Sequence, residues 1–352
     1  ITNAKSIKFT GGAEVEDDFS LGSTVSQYVT ITIPNPGKAI EGHELLVQIG
    51  MEVNGLVEYI PMGYFTPGKP SRNEEQIEFT AYDRMMKTER AFSMDGDSTD
   101  TAAVLKRIQE ITGVMVVTDG LSGISMEVPK GYSCREVLSY AAQLHGCFAV
   151  CNRNGQIELH SYVDSGYTVS TGRYWDSFEH NDYLFQVEKL TCYTGQDEEG
   201  KDVSVSSGDG PRAVIFSNPF MTQDTLDGFS YMPGSLRMMG DPRLDPWDVL
   251  TVEDRKGGSY KVPLMKLERE YDGGFTDSVE AVGLSEDETN ANWKGPTTKE
   301  MERYYAQLVM IDHAMINKLD ADTANLKFAT IQNLNAVNAT VQNLDAEFGS
   351  FR

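Results

Sequence analysis

The chain has 352 residues, and at about 150 residues per domain this length predicts two or three domains with core enough to fold without disulfide or metal staples. Against 30 Lys and Arg stand 53 Asp and Glu, a formal charge of -23 that repels phosphate backbones and anionic membranes, so no specific nucleic-acid binding is expected. No uncharged apolar run approaches the roughly 18 to 20 residues of a membrane helix, and the opening Ile1 to Thr10 lacks the apolar stretch of a signal peptide. Four cysteines are too sparse for a disulfide framework, which predicts free thiols made in a reducing compartment.

The first 94 residues read as an antiparallel β domain. Tyr28 to Ile33 alternates apolar with polar before the turn Pro34-Asn35-Pro36-Gly37, and further strands are expected at Leu45 to Ile49, Val57 to Met62 and Gln76 to Ala81. Residues 95–164 read as a small α+β insert. Val104, Leu105, Ile108 and Ile111 share a helical face that Gly113 can end, and Ser133 with Glu136 can form a capping box before Val137, Leu138, Ala141 and Leu144. Arg153-Asn154-Gly155 between two alternating segments signals a hairpin. Residues 165–292 read as a second β domain, with strands over Tyr183 to Tyr193, Ala213 to Phe216, Val249 to Val252, Ser259 to Leu264 and Ser278 to Val282.

The two β regions share a weak repeat. Tyr59-Ile60-Pro61-Met62 matches Lys261-Val262-Pro263-Leu264, and each proline precedes an apolar-Glu-apolar segment by 16 positions, Ile77-Glu78-Phe79 and Val279-Glu280-Ala281. Upstream, Glu44-Leu45-Leu46-Val47 corresponds to Asp248-Val249-Leu250-Thr251. Two copies of one domain explain this better than chance. The last region, 293–352, reads as helical. Leu308, Ile311 and Met315, then Leu334, Val337, Val341, Leu344 and Phe348, fall at steps of three and four, a narrow seam that wants partner helices; Leu319-Asp320-Ala321-Asp322 breaks it. Overall, the fold class expected is α+β and mostly β: two related antiparallel β-barrel-like domains, a small α+β insert, and a C-terminal coiled-coil stalk.

Residues that could carry chemistry each have a plainer role. Cys147 and Cys151 on one strand are too far apart for a common metal or a disulfide, so buried strand cysteines are expected. Asp95-Gly96-Asp97 with Asp100 lacks the glycine and distal glutamate of a calcium loop and is better explained by acidic helix capping. The five histidines show no metal-ligand spacing, and Gly120-Leu121-Ser122-Gly123 is one residue short of a nucleophile elbow. Neither a catalytic residue nor a cofactor or metal site is expected, and Trp175, Trp247 and Trp293 are expected in core packing.

Four features in this order resemble a known family: Val57-Glu58-Tyr59-Ile60-Pro61-Met62-Gly63-Tyr64-Phe65 followed by Phe79-Thr80-Ala81-Tyr82-Asp83-Arg84-Met85; the helix and hairpin from Ser133 through Gly155 to His160; Gly240-Asp241-Pro242 with Trp247-Asp248-Val249 and Tyr271-Asp272-Gly273-Gly274; and the Asn-Leu-x-Ala repeats after Leu326. The chain resembles bacteriophage tail-tip and baseplate hub proteins, the amino-terminal hub region of siphophage tail-associated lysins, related to the central hub of contractile tails. The resemblance implies a homotrimer in the virion tail tip, made in the bacterial host cytoplasm, whose related β domains alternate around a ring of pseudo-sixfold symmetry and whose channel passes DNA on host cell entry. Implied partners are the distal tail protein ring above, the tape-measure protein C-terminus, and distal fibre or receptor-binding proteins. Lysin activity in that family lies outside the hub, so a structural protein and not an enzyme is expected. The competing readings are a cell-wall (peptidoglycan) hydrolase and a carbohydrate-binding adhesin module using exposed tryptophans.

Overall fold

Alternating residues become strands, and a few glycines and caps decide where they stop. The computed structural model describes residues 4–14, 19–40, 42–197, 201–208, 213–221 and 229–283. Strand β1 is Ser6–Gly12 and β2 is Tyr28–Pro34, in which Val29, Ile31 and Ile33 are buried while Thr30 and Thr32 face outward. Strands β3 (Leu45–Val53) and β4 (Leu56–Pro67) are joined by Asn54 and Gly55, both at positive φ (52° and 80°), the two-residue turn that suits the twist of a hairpin. Their register slips between Val47 and Gln48, opposite Met62, where Gly63 takes φ 132°. Strands β5 (Ser71–Arg72) and β6 (Gln76–Asp83) follow, and Asp83 caps a short 3-10 turn by accepting from the Met85 amide.

Next, β7 (Ser98–Asp100) leads into α1 (Thr101–Thr112), whose amino end is capped by Asp100 accepting from the Ala103 amide and whose carboxyl end closes on Gly113 at φ 72°. After β8 (Ser125–Glu127), α2 (Cys134–Leu144) opens with the expected capping box between Ser133 and Glu136. The hairpin β9 (Phe148–Cys151) and β10 (Ile157–His160) turns through Gly155 at φ 70°. Both helices bury Val104, Leu105, Ile108, Val137, Leu138 and Ala141 in one core with Met85 and Ile157.

The remaining strands are β11 (Val163–Val169), β12 (Glu179–His180), β13 (Phe185–Gln186), β14 (Lys189–Gln196), β15 (Asp202–Ser207), β16 (Ala213–Ser217), β17 (Ser230–Tyr231), β18 (Gly234–Met239), β19 (Asp248–Glu253), β20 (Ser259–Pro263), β21 (Lys266–Tyr271) and β22 (Phe275–Ala281). A ten-stranded sheet runs β12-β18-β22-β21-β1-β2-β6-β4-β3, with β5 beside β6. Neighbours in it are antiparallel. Smaller sheets are β11-β19-β20 and β15-β14-β16, and β11–β19 and β14–β16 pair in parallel. The large sheet covers a core drawn from both ends of the described chain, with Phe9, Ile31, Phe65 and Phe79 in the same cluster as Leu236, Met238, Leu267 and Val279. Fully burying such side chains contributes about 1.5 to 3 kcal/mol each.

One buried polar group holds this core in register. Arg269 in β21 meets Asp277 in β22 in a two-pronged pair at 2.8 and 2.9 Å, both side chains almost wholly out of solvent. The guanidinium also donates to the carbonyls of Asp241 (2.7 Å) and Leu244, and Asp277 accepts from the Asp241 amide at 3.0 Å. Every strong donor in that cluster therefore has an acceptor, the condition under which a buried pair is tolerated. This explains Gly240-Asp241-Pro242: the Gly240 amide donates to Phe275, and a Cβ there would lie 2.4 Å from the Phe275 ring.

Candidate functional surface

The strands of the large sheet alternate, so its second face is the mirror of its core in chemistry. It presents Lys8 and Thr10 from β1, Tyr28, Thr30 and Thr32 from β2, Glu78 and Thr80 from β6, Lys266, Glu268 and Glu270 from β21, Thr276, Ser278 and Glu280 from β22, and Ser235 and Arg237 from β18. Cross-strand partners are fixed by the register: Thr30 faces Thr80 and Lys8, Thr10 faces Glu268 and Tyr28, and Ser278 faces Glu268 and Arg237. Lys8 pairs with Glu268 at 3.0 Å, and Lys266 with Glu280 at 3.5 Å. Three cations thus stand among four carboxylates on these strands, which leaves the face close to neutral and slightly acidic. A groove of about 560 Å³ lies over Thr10, Tyr28, Arg237, Lys266, Glu268 and Glu280 and is lined also by Asp176 and Glu179.

The edges of the sheet differ from this face. At one edge the β3–β4 hairpin exposes Leu46, Met51, Leu56, Val57 and Tyr59, with Leu56 72% and Tyr59 61% accessible. At the other, residues 173–180 run along β18: the Trp175 amide donates to Arg237, Tyr174 bridges Met238, and Glu179 and His180 form β12. Trp175 is 52% exposed, with the Arg237 guanidinium 5.8 Å from its ring centre. This corrects the expectation of core packing for that residue. Trp247 does stack, on His160 at 4.4 Å.

Elsewhere the residues singled out from the sequence have structural partners. Asp100 caps α1 and Asp97 pairs with Lys130 at 2.9 Å. Cys151 is buried on β9, whereas Cys147 lies just before that strand and is half-buried. Burial pushes the Cys134 thiol up to about 11 and raises Cys147 and Cys151, so all three stay protonated at neutral pH. No helix among the described residues is long and apolar enough to cross a membrane. The seam residues Leu308, Ile311, Met315, Leu334, Val337, Val341, Leu344 and Phe348, and Trp293, lie outside the described residues. The polar face itself was missed from the sequence, although Ser6-Ile7-Lys8-Phe9-Thr10 carries the alternation that could have found it.

No protein-family model matches this sequence, and no curated protein does. Among solved structures the chain is similar to the 43 kDa tail protein of prophage MuSo2 from Shewanella oneidensis, at 13% identity and a TM-score of 0.49, covering 80% of this chain and 94% of that one. It is similar also to a tail protein from Neisseria meningitidis MC58 (10% identity, TM-score 0.49, 79% and 91% covered) and to prophage tail protein gp18 from Listeria monocytogenes EGD-e (10%, 0.46, 89% and 95%). All three are tail proteins.

Proposed function

We propose that this chain is a structural hub of a bacteriophage tail tip: a trimeric ring that closes or continues the tail channel and connects the tail tube to a distal fibre or enzymatic extension. Residues 1-94 and 165-292 are then two related barrel-like domains, 95-164 an insert between them, and 293-352 the start of a trimeric stalk. The reading rests on the strand order of the large sheet. The run β1-β2-β6-β4 is echoed by β12-β18-β22-β21, antiparallel throughout. In the first run β4 continues past its bulge at Met62 and Gly63 to pair with β3; in the second, the corresponding strand is interrupted at Leu264 and Met265, and its first part, β20, pairs with β19. Pro61 faces Gln48 in one and Pro263 faces Val249 in the other, so the two prolines of the sequence repeat both sit opposite the preceding strand, with registers three residues apart on the upstream alignment of Leu45 with Val249. Three chains then supply six such units, which suits a hexameric ring of distal tail protein above, with the tape-measure protein contacting the ring from within.

The polar face is the surface suited to line the channel. Its threonines, serines and locally paired charges offer no row of cations to condense on a phosphate backbone, so DNA crosses without gaining the counterion-release energy that makes it stick. A direct test is the mass of the full chain by sedimentation velocity together with electron micrographs of the same sample. Three chains in a ring with a central opening is the expected result; a monomer or a ring without an opening overturns the proposal.

A further inference from the structure

The hairpin turn at Arg153 and the loop from Leu244 to Trp247 meet beside the residue that opens β2, and a small cavity lies where the three come together. Its volume is about 10 Å³, and Gln27, Arg153, Leu244, Asp245 and Arg269 are among the residues that line it. Gln27 stands just before β2, Arg153 lies between β9 and β10, and Asp245 lies between β18 and β19. The first β region, the insert and the second β region therefore each contribute a wall.

The polar groups around this cavity include more donors than acceptors. Gln27 is held by its main chain, whose amide donates to the Asp83 carboxyl and whose carbonyl accepts from the Asp83 amide. Its side chain is 5% exposed, and Nε2 is buried without a hydrogen-bond partner among the described residues. The Leu244 carbonyl, in contrast, is crowded. It accepts from Arg153 Nη2 at 3.2 Å and from Nη1 and Nη2 of Arg269 at 3.4 and 3.3 Å, all longer than the usual ~2.9 to 3.0 Å. Arg269 is 2% exposed and carries five N–H groups, and it meets four acceptor atoms, the two oxygens of Asp277 and the carbonyls of Asp241 and Leu244. Each of its nitrogens is served once, and one N–H is left over.

These observations define the chemistry of a group that fits. It accepts hydrogen bonds, because the local surplus is of donors. It is neutral, because Arg153 already meets Asp245 and Arg269 already meets Asp277, each at 2.8 Å, so neither cation calls for a further anion. It is small, because about 10 Å³ suits a single water. We infer that the cavity is a binding site for one water molecule, which accepts from Gln27 Nε2 and from a guanidinium N–H and donates to the Asp245 carboxylate. The water joins β2, the insert hairpin and residues 241–247, and it relieves the crowding at the Leu244 carbonyl. Placement of the insert against both β regions then depends on a bound solvent molecule as well as on side-chain contact. The inference is independent of the hub reading.

A crystal structure of the full-length protein, at a resolution that shows ordered waters, tests it. One density peak about 2.7 to 3.2 Å from the Gln27 amide and from Arg153 or Arg269 is the expected result. A cavity without density, a peak that refines as a heavier ion, or the Gln27 oxygen turned directly onto a guanidinium overturns the inference. Urea unfolding of Gln27→Met gives a second reading, since methionine keeps the length and unbranched shape of the side chain and removes the amide. With the water in place, the variant leaves it one partner short and the midpoint should fall by about 0.3 M or more. An unchanged or raised midpoint is what removing an unpaired buried amide produces, and it overturns the site.

Discussion

Asp83 and Asp277 are each buried at strand positions of the same sheet, one in each half of the described chain, and their surroundings treat the charge in opposite ways. Asp277 meets a guanidinium with both oxygens. Asp83 meets neutral donors, the Ser26 hydroxyl at 2.7 Å and the amides of Gln27 and Met85 at 3.0 and 3.1 Å, beside the protonated Cys151 thiol. Burial outweighs those three bonds and raises the Asp83 carboxyl to about 6. Hydrogen bonds alone position a carboxylate; a cation in contact is what lets it stay charged out of water.

The largest expected effect breaks the cationic side of that comparison. Arg269→Met strands Asp277 and frees the carbonyls of Asp241 and Leu244, and should lower stability in urea unfolding by about 3 to 5 kcal/mol, whereas Arg269→Met with Asp277→Leu should recover much of it. The neutral side sharpens it through pH. Because the folded chain holds the Asp83 proton up to about 6 and the unfolded chain releases it near 4, this group's contribution to stability is greatest below pH 4 and falls as pH rises to about 6, by about 3 kcal/mol in all. Asp83→Asn should remove that slope from thermal melts taken between pH 4 and 7. Asp241 has the other sign: the hydrogen bond from Arg243 holds it down near 2, so its contribution is present above pH 4 and is lost only as pH falls through about 2, which separates the two windows. The smallest effect belongs to the polar face, where Lys8→Gln should change stability by about 0 to 1 kcal/mol, since Lys8 and Glu268 are both close to half exposed.

Local chemistry was legible in the sequence and long-range pairing was not. The alternation of β2 and β6, the capping box at Ser133 and the turn at Gly155 each arise from a few neighbouring residues, and each is found where the residues place it. Strand β21 was hidden because Arg269, the residue that anchors the core, breaks the apolar-polar alternation that marks a strand. Residues 173–180 were hidden for a similar reason, since Trp175 is a core residue by composition and an edge residue by position. The proposed stalk seam was read from helical spacing alone and lies outside the described residues. The alternation of Ser6 to Thr10 could have shown the β1 share of the polar face, but its continuation onto β21 required knowing that the two strands are neighbours, which no local pattern encodes.

That pairing also orders events in time. At a ribosomal rate of about 5 to 20 residues per second, Ile7 waits on the order of tens of seconds before Tyr271 exists to meet it. Until then β1 is the free edge of an unfinished sheet, and closing a loop of that length makes the junction a late, non-local step of folding. Until β21 and β22 exist, β12-β18 and β1-β2-β6-β4-β3 are two pieces with four open edges where the finished sheet has two, and the last strands synthesised for the sheet are the ones that join them.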